Sequence, residues 1–248
     1  MQLFYEVFEA LPRQGPGSRV CTKRALDMCV GLPPTPAILD LGCGVGAQTL
    51  DLAALTNGTI VAVDLHEPNI ARLQDTIEHD EGLAHRITPR VADFGNLDHD
   101  DATFDLVWSE GALYNLGLER ALPLCKHLLR PGGHLAFTDA IWRTDNPPAQ
   151  VRALFEEDYP TMGRVPDVLA QLEAIGLTVA GHFTLPDAAW WDDFYTPMNQ
   201  RIAELRDLYA GDREALAALD ELAEEPKMHE QHGAHYGYEF FVCRRPSV

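Results

Sequence analysis

An α/β fold built on a doubly wound parallel sheet follows from three observations. Strand-like and helix-like periodicities alternate from residue 37 to residue 139, a glycine-rich turn joins the first strand to the helix after it, and Thr59-Ile-Val-Ala-Val-Asp64 is a continuous β-branched run ending in an acid. Unbroken apolar runs of that kind are buried on both faces, which in a globular chain means parallel strands covered by crossover helices.

Residues 2–11 place Leu3, Phe4, Val7, Phe8 and Leu11 at i, i+3, i+4 spacings and predict an amphipathic helix, stopped by Pro12-Arg-Gln-Gly-Pro-Gly17. Ser18 is placed to cap a second helix through Val30, and Gly31-Leu-Pro-Pro-Thr-Pro36 then forces a loop. Residues 1–36 therefore read as a helical cap, whose Gly15-Pro-Gly17 loop lies against a ligand or which merely covers a sheet edge. The first strand follows at Ala37 and ends at Asp40-Leu41, with glycines at 42, 44 and 46 and a helix carrying Leu50, Leu52, Ala53 and Leu55. Such a turn lets backbone approach a ligand closely, and the helix N-terminus offers unpaired N–H groups to it. Gly42-x-Gly44-x-x-Ala47 also satisfies the dinucleotide fingerprint, so the turn alone leaves the cofactor open.

Asp64 closes the second strand at the place where nucleotide folds hold ribose hydroxyls. A helix over 67–78 follows, then a third strand over 87–92 with Asp93-Phe94 after it. A fourth strand over 103–108 leads into Ser109-Glu110-Gly111-Ala112, a helix over 119–129 into Arg130-Pro-Gly-Gly133, and a fifth strand spans 134–139. Helices near 148–157 and 165–175, a sixth strand over 176–185 and a seventh over 236–244 complete the pattern. Between the last two strands, 186–235 reads as helical with Trp190, Trp191, Phe194 and Tyr195 near its start, and 227–235 is its least structured-looking part.

The 248 residues, 46% hydrophobic, suffice for one domain with a sizeable core. A formal net charge of −19 repels phosphate backbones and anionic lipid, which argues against nucleic-acid and membrane partners. No basic leader and no apolar run of about 18 residues appears, so a cytoplasmic location is expected. Five scattered cysteines without a Cys-x-x-Cys pair favour reduced, structural thiols over a disulfide framework or zinc site. His229, His232 and His235 recur every third residue, but Gly233 interrupts them and no Cys or paired acid accompanies them, so no metal site is assigned.

Over roughly residues 37–140 the chain resembles the class I S-adenosylmethionine-dependent methyltransferases. Asp40-x-Gly42-x-Gly44-x-Gly46 is similar to the family's first motif, Asp64 to its ribose acid, Asp93-Phe94 to its adenine-binding pair, and Leu128-Leu-Arg-Pro-Gly-Gly133 to its turn before strand five. The resemblance implies S-adenosyl-L-methionine as cofactor, held by Asp40, Gly42, Gly44, Gly46, Asp64, Leu65, Asp93, Phe94 and Ser109. It also implies a seven-stranded Rossmann-like sheet of order 3-2-1-4-5-7-6 with strand 7 antiparallel. A core of 37–185 and 236–248 then carries the cap at 1–36, and the insertion 186–235 leaves and returns at the mouth of the site. That insertion is expected to be a substrate lid or a homodimerisation element.

Methyl transfer from a sulfonium is an in-line displacement, so positioning and exclusion of water matter more than a side-chain base. Should a base be needed, Glu110 is the first candidate, with Tyr114 and Asn115 orienting the substrate. Asp139 and Trp142 follow at the end of strand five. Trp190, Trp191 and Tyr195 are substrate candidates: the two indoles with Asp192 and Asp193 would receive a cationic amine, or they simply pack on the sheet. The Asn/Asp-Pro-Pro-Tyr/Phe motif of resembling enzymes that modify nucleic-acid or protein amino groups is replaced here by Ser109-Glu110-Gly111-Ala112, which favours a small-molecule acceptor. A non-catalytic S-adenosylmethionine-binding module and a nicotinamide-dependent oxidoreductase remain as alternatives.

Overall fold

The computed structural model describes residues 2–98, 100–156 and 158–247. Strands β1 (Ala37–Leu41), β2 (Thr59–Asp64), β3 (Ile87–Val91), β4 (Phe104–Glu110), β5 (Leu129–Trp142), β6 (Thr178–Thr184) and β7 (Tyr236–Arg244) form one sheet ordered β3-β2-β1-β4-β5-β7-β6. The first five strands pair parallel, and β7 runs antiparallel to both β5 and β6. Because β1 pairs with β2 on one side and β4 on the other, a crevice opens at their carboxyl ends, where open α/β sheets bind ligands.

The period-2 alternation of the strands divides the core. Ile38, Ile60, Ala62, Leu106 and Trp108 meet the apolar residues of α2 (Arg19–Met28), α3 (Ala47–Leu55) and α4 (Glu67–Glu78). Their neighbours Leu39, Leu41, Val63, Val107 and Phe137 go to the opposite face and meet α6 (Leu118–Leu128) and α8 (Val165–Ala174). A third cluster lies apart from this sandwich. It joins α1 (Gln2–Phe8) through Val7, α7 (Ala149–Glu156) through Val151, α9 (Ala188–Trp190) through Trp190, α10 (Thr196–Leu208) through Met198 and Ile202, and α11 (Arg213–Leu222) through Leu219. The short α5 (Glu81–Ala84) and α12 (Glu224–His232) complete the helices named here. The N-terminal helix and the 186–235 insertion thus share one core.

Several boundaries differ from the sequence expectation for identifiable reasons. β5 begins at Leu129 and runs to Trp142 because β7 pairs with it from His134 to Trp142, a long-range ladder that local composition does not reveal. The Arg130-Pro-Gly-Gly133 turn is a bulge within that strand: Phe104 opposes Leu129 and Leu106 opposes His134. The extra residues bond instead to the chain's far end, Gly132 donating its N–H to the Arg245 carbonyl and Arg245 its own to the Gly133 carbonyl. Ser109 and Glu110 belong to β4 rather than following it. The 227–235 stretch falls largely in α12, anchored where His229 stacks on the Trp190 ring at 4.2 Å between centroids. All five cysteines are free and buried. Among the described residues, no helix is long and apolar enough to cross a membrane.

Candidate active site

The turn after β1 is shaped by close packing. Gly42 and Gly44 have φ of 68° and 55°, and a Cβ added at Gly42 would stand 2.3 Å from the Ala112 Cβ. Only glycine takes that conformation and that approach without strain. Gly42 and Cys43 donate their N–H groups to the Val63 carbonyl, and Gly44 donates to Asp64 Oδ2 at 2.8 Å. The other Asp64 oxygen accepts from the His66 N–H at 2.8 Å, so the carboxylate is held rigidly at the end of β2. Asp93 caps the turn after β3, accepting from the Gly95 N–H at 2.8 Å and from Asn96 Nδ2 at 2.6 Å.

These groups line one end of a cavity of about 1110 Å³, together with Leu65, Phe94 and the N-terminal Gln14, Gly15 and Pro16. Asp64 itself lines the cavity, and a Cβ at Gly44 would meet Gln14 Oε1 at 2.7 Å. A glycine-walled cleft ending in a fixed acid fits the ribose and methionine portions of S-adenosylmethionine. Asp93 and Phe94 stand in the same lining.

Five of the residues expected at the cofactor or substrate lie outside the cavity lining, four of them with a structural duty. Asp40 is fully buried and accepts from Thr49 Oγ1 at 2.6 Å and Gln48 Nε2 at 3.4 Å, fixing the start of α3; burial pushes its carboxyl up to about 7. Ser109 donates to the Leu41 carbonyl at 2.8 Å, tying β4 to β1. Gly46 packs under Leu73, whose Cδ1 would lie 2.5 Å from an added Cβ. Trp142 meets Phe155 edge-on, with the Arg152 guanidinium over its ring at 5.7 Å. Trp191 is likewise outside the cavity lining, while Trp190 and Tyr195 are in it.

Glu110 lines the cavity but is not a free base. Its Oε1 accepts from Thr22 Oγ1 and Trp108 Nε1, both at 2.9 Å, and its Oε2 from Arg13 Nη1 at 2.8 Å. Arg13 reaches on to Asp51 at 3.1 Å and is itself 5% exposed. The carboxylate therefore anchors the N-terminal segment over the crevice. Further bonds hold that segment: Gln14 Nε2 donates to Asn69 Oδ1 at 2.9 Å, Gly17 N–H to the Ala189 carbonyl, and Tyr5 stacks on His66 at 4.5 Å.

The other end of the cavity is aromatic and acidic. Tyr114, Phe155, Tyr159, Trp190, Tyr195, Tyr236 and Tyr238 line it. Asn115 donates from Nδ2 to the Ala112 carbonyl at 3.0 Å, which fixes the turn carrying Tyr114. Tyr195 donates to Glu225 Oε1 at 2.9 Å, and burial raises the Glu225 carboxyl. Tyr159 donates to Asp139 Oδ2 at 2.8 Å, and burial brings the Asp139 carboxyl up to about 7.

Sequence reasoning missed Arg13, Glu225, Tyr236 and Tyr238. The two tyrosines carried a signal, since an antiparallel β7 begins at the ligand end of the sheet and alternate residues share a face. Arg13 and Glu225 carried none: one is a lone cation in a proline-glycine loop, the other an acid among acids.

Residues 38–133 match the methyltransferase domain family. The sarcosine/dimethylglycine N-methyltransferase of Halorhodospira halochloris is 30% identical over 148 residues, covering 59% of this chain and 53% of that protein. The dimethylglycine N-methyltransferase of Parasynechococcus marenigrum is 30% identical over 157 residues, covering 62% of this chain and 55% of its own. The chain thus spans about half the length of these curated relatives. In structure it is similar to a methyltransferase from Geobacter sulfurreducens solved with S-adenosyl-L-homocysteine, with a TM-score of 0.83, 98% of this chain and 97% of that one covered, and 20% identity, a likeness of fold. Residues 38–133 match a methyltransferase domain, and the sheet order is the one that the resemblance to the class I S-adenosylmethionine-dependent methyltransferases implies.

Proposed function

We propose that this chain transfers a methyl group from S-adenosylmethionine to a small molecule held in the tyrosine-lined end of the cavity. The observation supporting this reading is continuity: one cavity joins Gly44, Asp64 and Asp93 at one end to Tyr114, Tyr195 and Glu225 at the other. When bound, the cofactor supplies a methyl group already activated on a sulfonium. The chain's part is then to hold the acceptor in line and keep water out. Asp64 would accept from the ribose hydroxyls and Asp93 from the adenine amino group, while Leu65 and Phe94 cover the base. Tyr114, oriented by the Asn115 turn, would border the acceptor.

In this reading Glu110 acts through Arg13 as a positioning residue, and the 186–235 insertion serves as a lid, contributing Trp190, Phe194, Tyr195 and Glu225 to the lining. The curated relatives are named for methylation of small amines, which favours nitrogen as the acceptor atom. The test is incubation of the protein with methyl-labelled S-adenosylmethionine and a metabolite extract. Label appearing in a small molecule is the expected result; tight cofactor binding with no transferred label would replace the enzyme by a binding module.

A further inference from the structure

Charge in the acceptor end of the cavity is one-sided. Glu221, Glu224, Glu225 and Asp158 line it, and of these Glu224 is paired with Lys227, which lies outside the lining. Among the described lining residues the cationic or titratable basic side chains are Arg13 and His66, and both are already taken. Arg13 is bonded to Glu110 and Asp51, and His66 Nε2 lies 2.6 Å from Glu9 Oε1. A carboxylate or phosphate on a ligand would therefore enter an acidic chamber with no free positive partner, at the cost of its hydration. A cation meets the opposite conditions.

The ring walls point the same way. Trp190 lies edge-on to Tyr238 at 5.1 Å and to Tyr236 at 5.9 Å, and Tyr195 stands 5.8 Å from Trp190 while its hydroxyl holds Glu225. Aromatic faces beside a desolvated acid are the surroundings that attract an ammonium group. An independent sign of a ligand is the Tyr236 hydroxyl, which has no hydrogen-bond partner although the residue is only 1% exposed and lines this cavity. A buried polar group left unpaired is costly, and an occupant with polar hydrogens or lone pairs would satisfy it.

We infer that the acceptor site takes an amine bearing no carboxylate or phosphate, which binds as its ammonium against Glu225 among Trp190, Tyr195 and Tyr236 and gives its N–H proton to that carboxylate before the freed nitrogen lone pair attacks the methyl group. This rests on the methyl-transfer reading and narrows it: a zwitterion such as dimethylglycine, despite the relatives' names, is a poor fit to this chamber.

The test uses the full chain saturated with S-adenosylhomocysteine, whose own binding is first measured by calorimetry. Tetramethylammonium and benzyldimethylamine serve as cationic probes, dimethylglycine and phosphoethanolamine as anion-bearing ones, and tert-butanol as a neutral shape control, read by tryptophan fluorescence. The cationic probes should bind at least about tenfold more tightly than the anion-bearing ones. Glu225→Gln should weaken the cations by roughly tenfold and leave S-adenosylhomocysteine and tert-butanol unchanged. Tyr236→Phe, a milder change that keeps the ring, should weaken benzyldimethylamine while leaving tetramethylammonium, which has no polar hydrogen or lone pair, unchanged. Equal or tighter binding of dimethylglycine, or unaltered cation affinity in Glu225→Gln, would overturn the inference. Failure of S-adenosylhomocysteine to bind would instead overturn the methyl-transfer reading beneath it.

Discussion

Arg13→Met tests whether the N-terminal segment is held over the crevice by one buried cation. Arg13 and Glu110 have side chains only 6% and 4% exposed, and the second partner, Asp51, is 15% exposed. Removing one member of a buried pair costs about 3–5 kcal/mol, because the other charge is left without compensation. Here Thr22 and Trp108 continue to donate to Glu110, each contributing about 1 kcal/mol, so a net loss of about 1–3 kcal/mol is expected. Urea unfolding measures it. Glu110→Gln in the Arg13→Met background removes the uncompensated charge, and the double variant should regain at least about 1 kcal/mol. Cofactor affinity should fall in the single variant, since Gln14, Gly15 and Pro16 follow Arg13 into the cavity wall. A loss below about 1 kcal/mol, or a double variant less stable than the single, would refute the buried-latch reasoning.

Two further outcomes follow from the same geometry. Gly42→Ala places a Cβ 2.3 Å from that of Ala112 at φ 68°, whereas Gly31→Ala, at φ 91°, meets nothing within 4 Å. Both carry left-handed strain of about 1–2 kcal/mol, and only the first adds overpacking of about 1–3 kcal/mol; equal unfolding free energies would show that the Gly42 contact is not limiting. Asp139 has its carboxyl at about 7 in the folded chain against an ordinary 3.8, so between pH 4 and pH 7 the folded state binds the extra proton and stability falls as pH rises. Asp139→Asn lacks that dependence, and its stability relative to the parent should climb by up to about 1.4 kcal/mol per pH unit across the window and level off above it. Denaturation at pH 5, 6, 7 and 8 reads the difference, and a flat difference would contradict the burial of this carboxyl as an ionisable group.

The sheet was legible because its signals are local. Thr59–Asp64 and Phe104–Glu110 announce themselves by β-branched and apolar runs, and the glycines after β1 mark a turn that other residues cannot adopt. What escaped was set by long-range pairing. The length of β5 depends on β7, nearly a hundred residues away in sequence, and the order of α12 on His229 finding Trp190. In the site, residue type predicted Asp64 and Asp93 in the lining, since each sits at a strand end facing the crevice. It could not foretell that Glu110 would be claimed by Arg13, Thr22 and Trp108, because three partners from the N-terminal segment and its own strand meet only in the folded chain. Asp192 and Asp193, the acids expected beside Trp191, lie outside the cavity lining, whereas Glu225 on α12 lies within it.

Isothermal calorimetry with S-adenosylmethionine, on the parent chain and on Asp64→Ala and Asp93→Ala, reaches the central claim most directly. One site per chain is expected, weakened at least about tenfold in Asp64→Ala by loss of charge-assisted hydrogen bonds, and weakened also in Asp93→Ala. No heat with the parent chain, or unchanged affinity in both variants, would contradict the assignment of the glycine-walled cleft as the cofactor site.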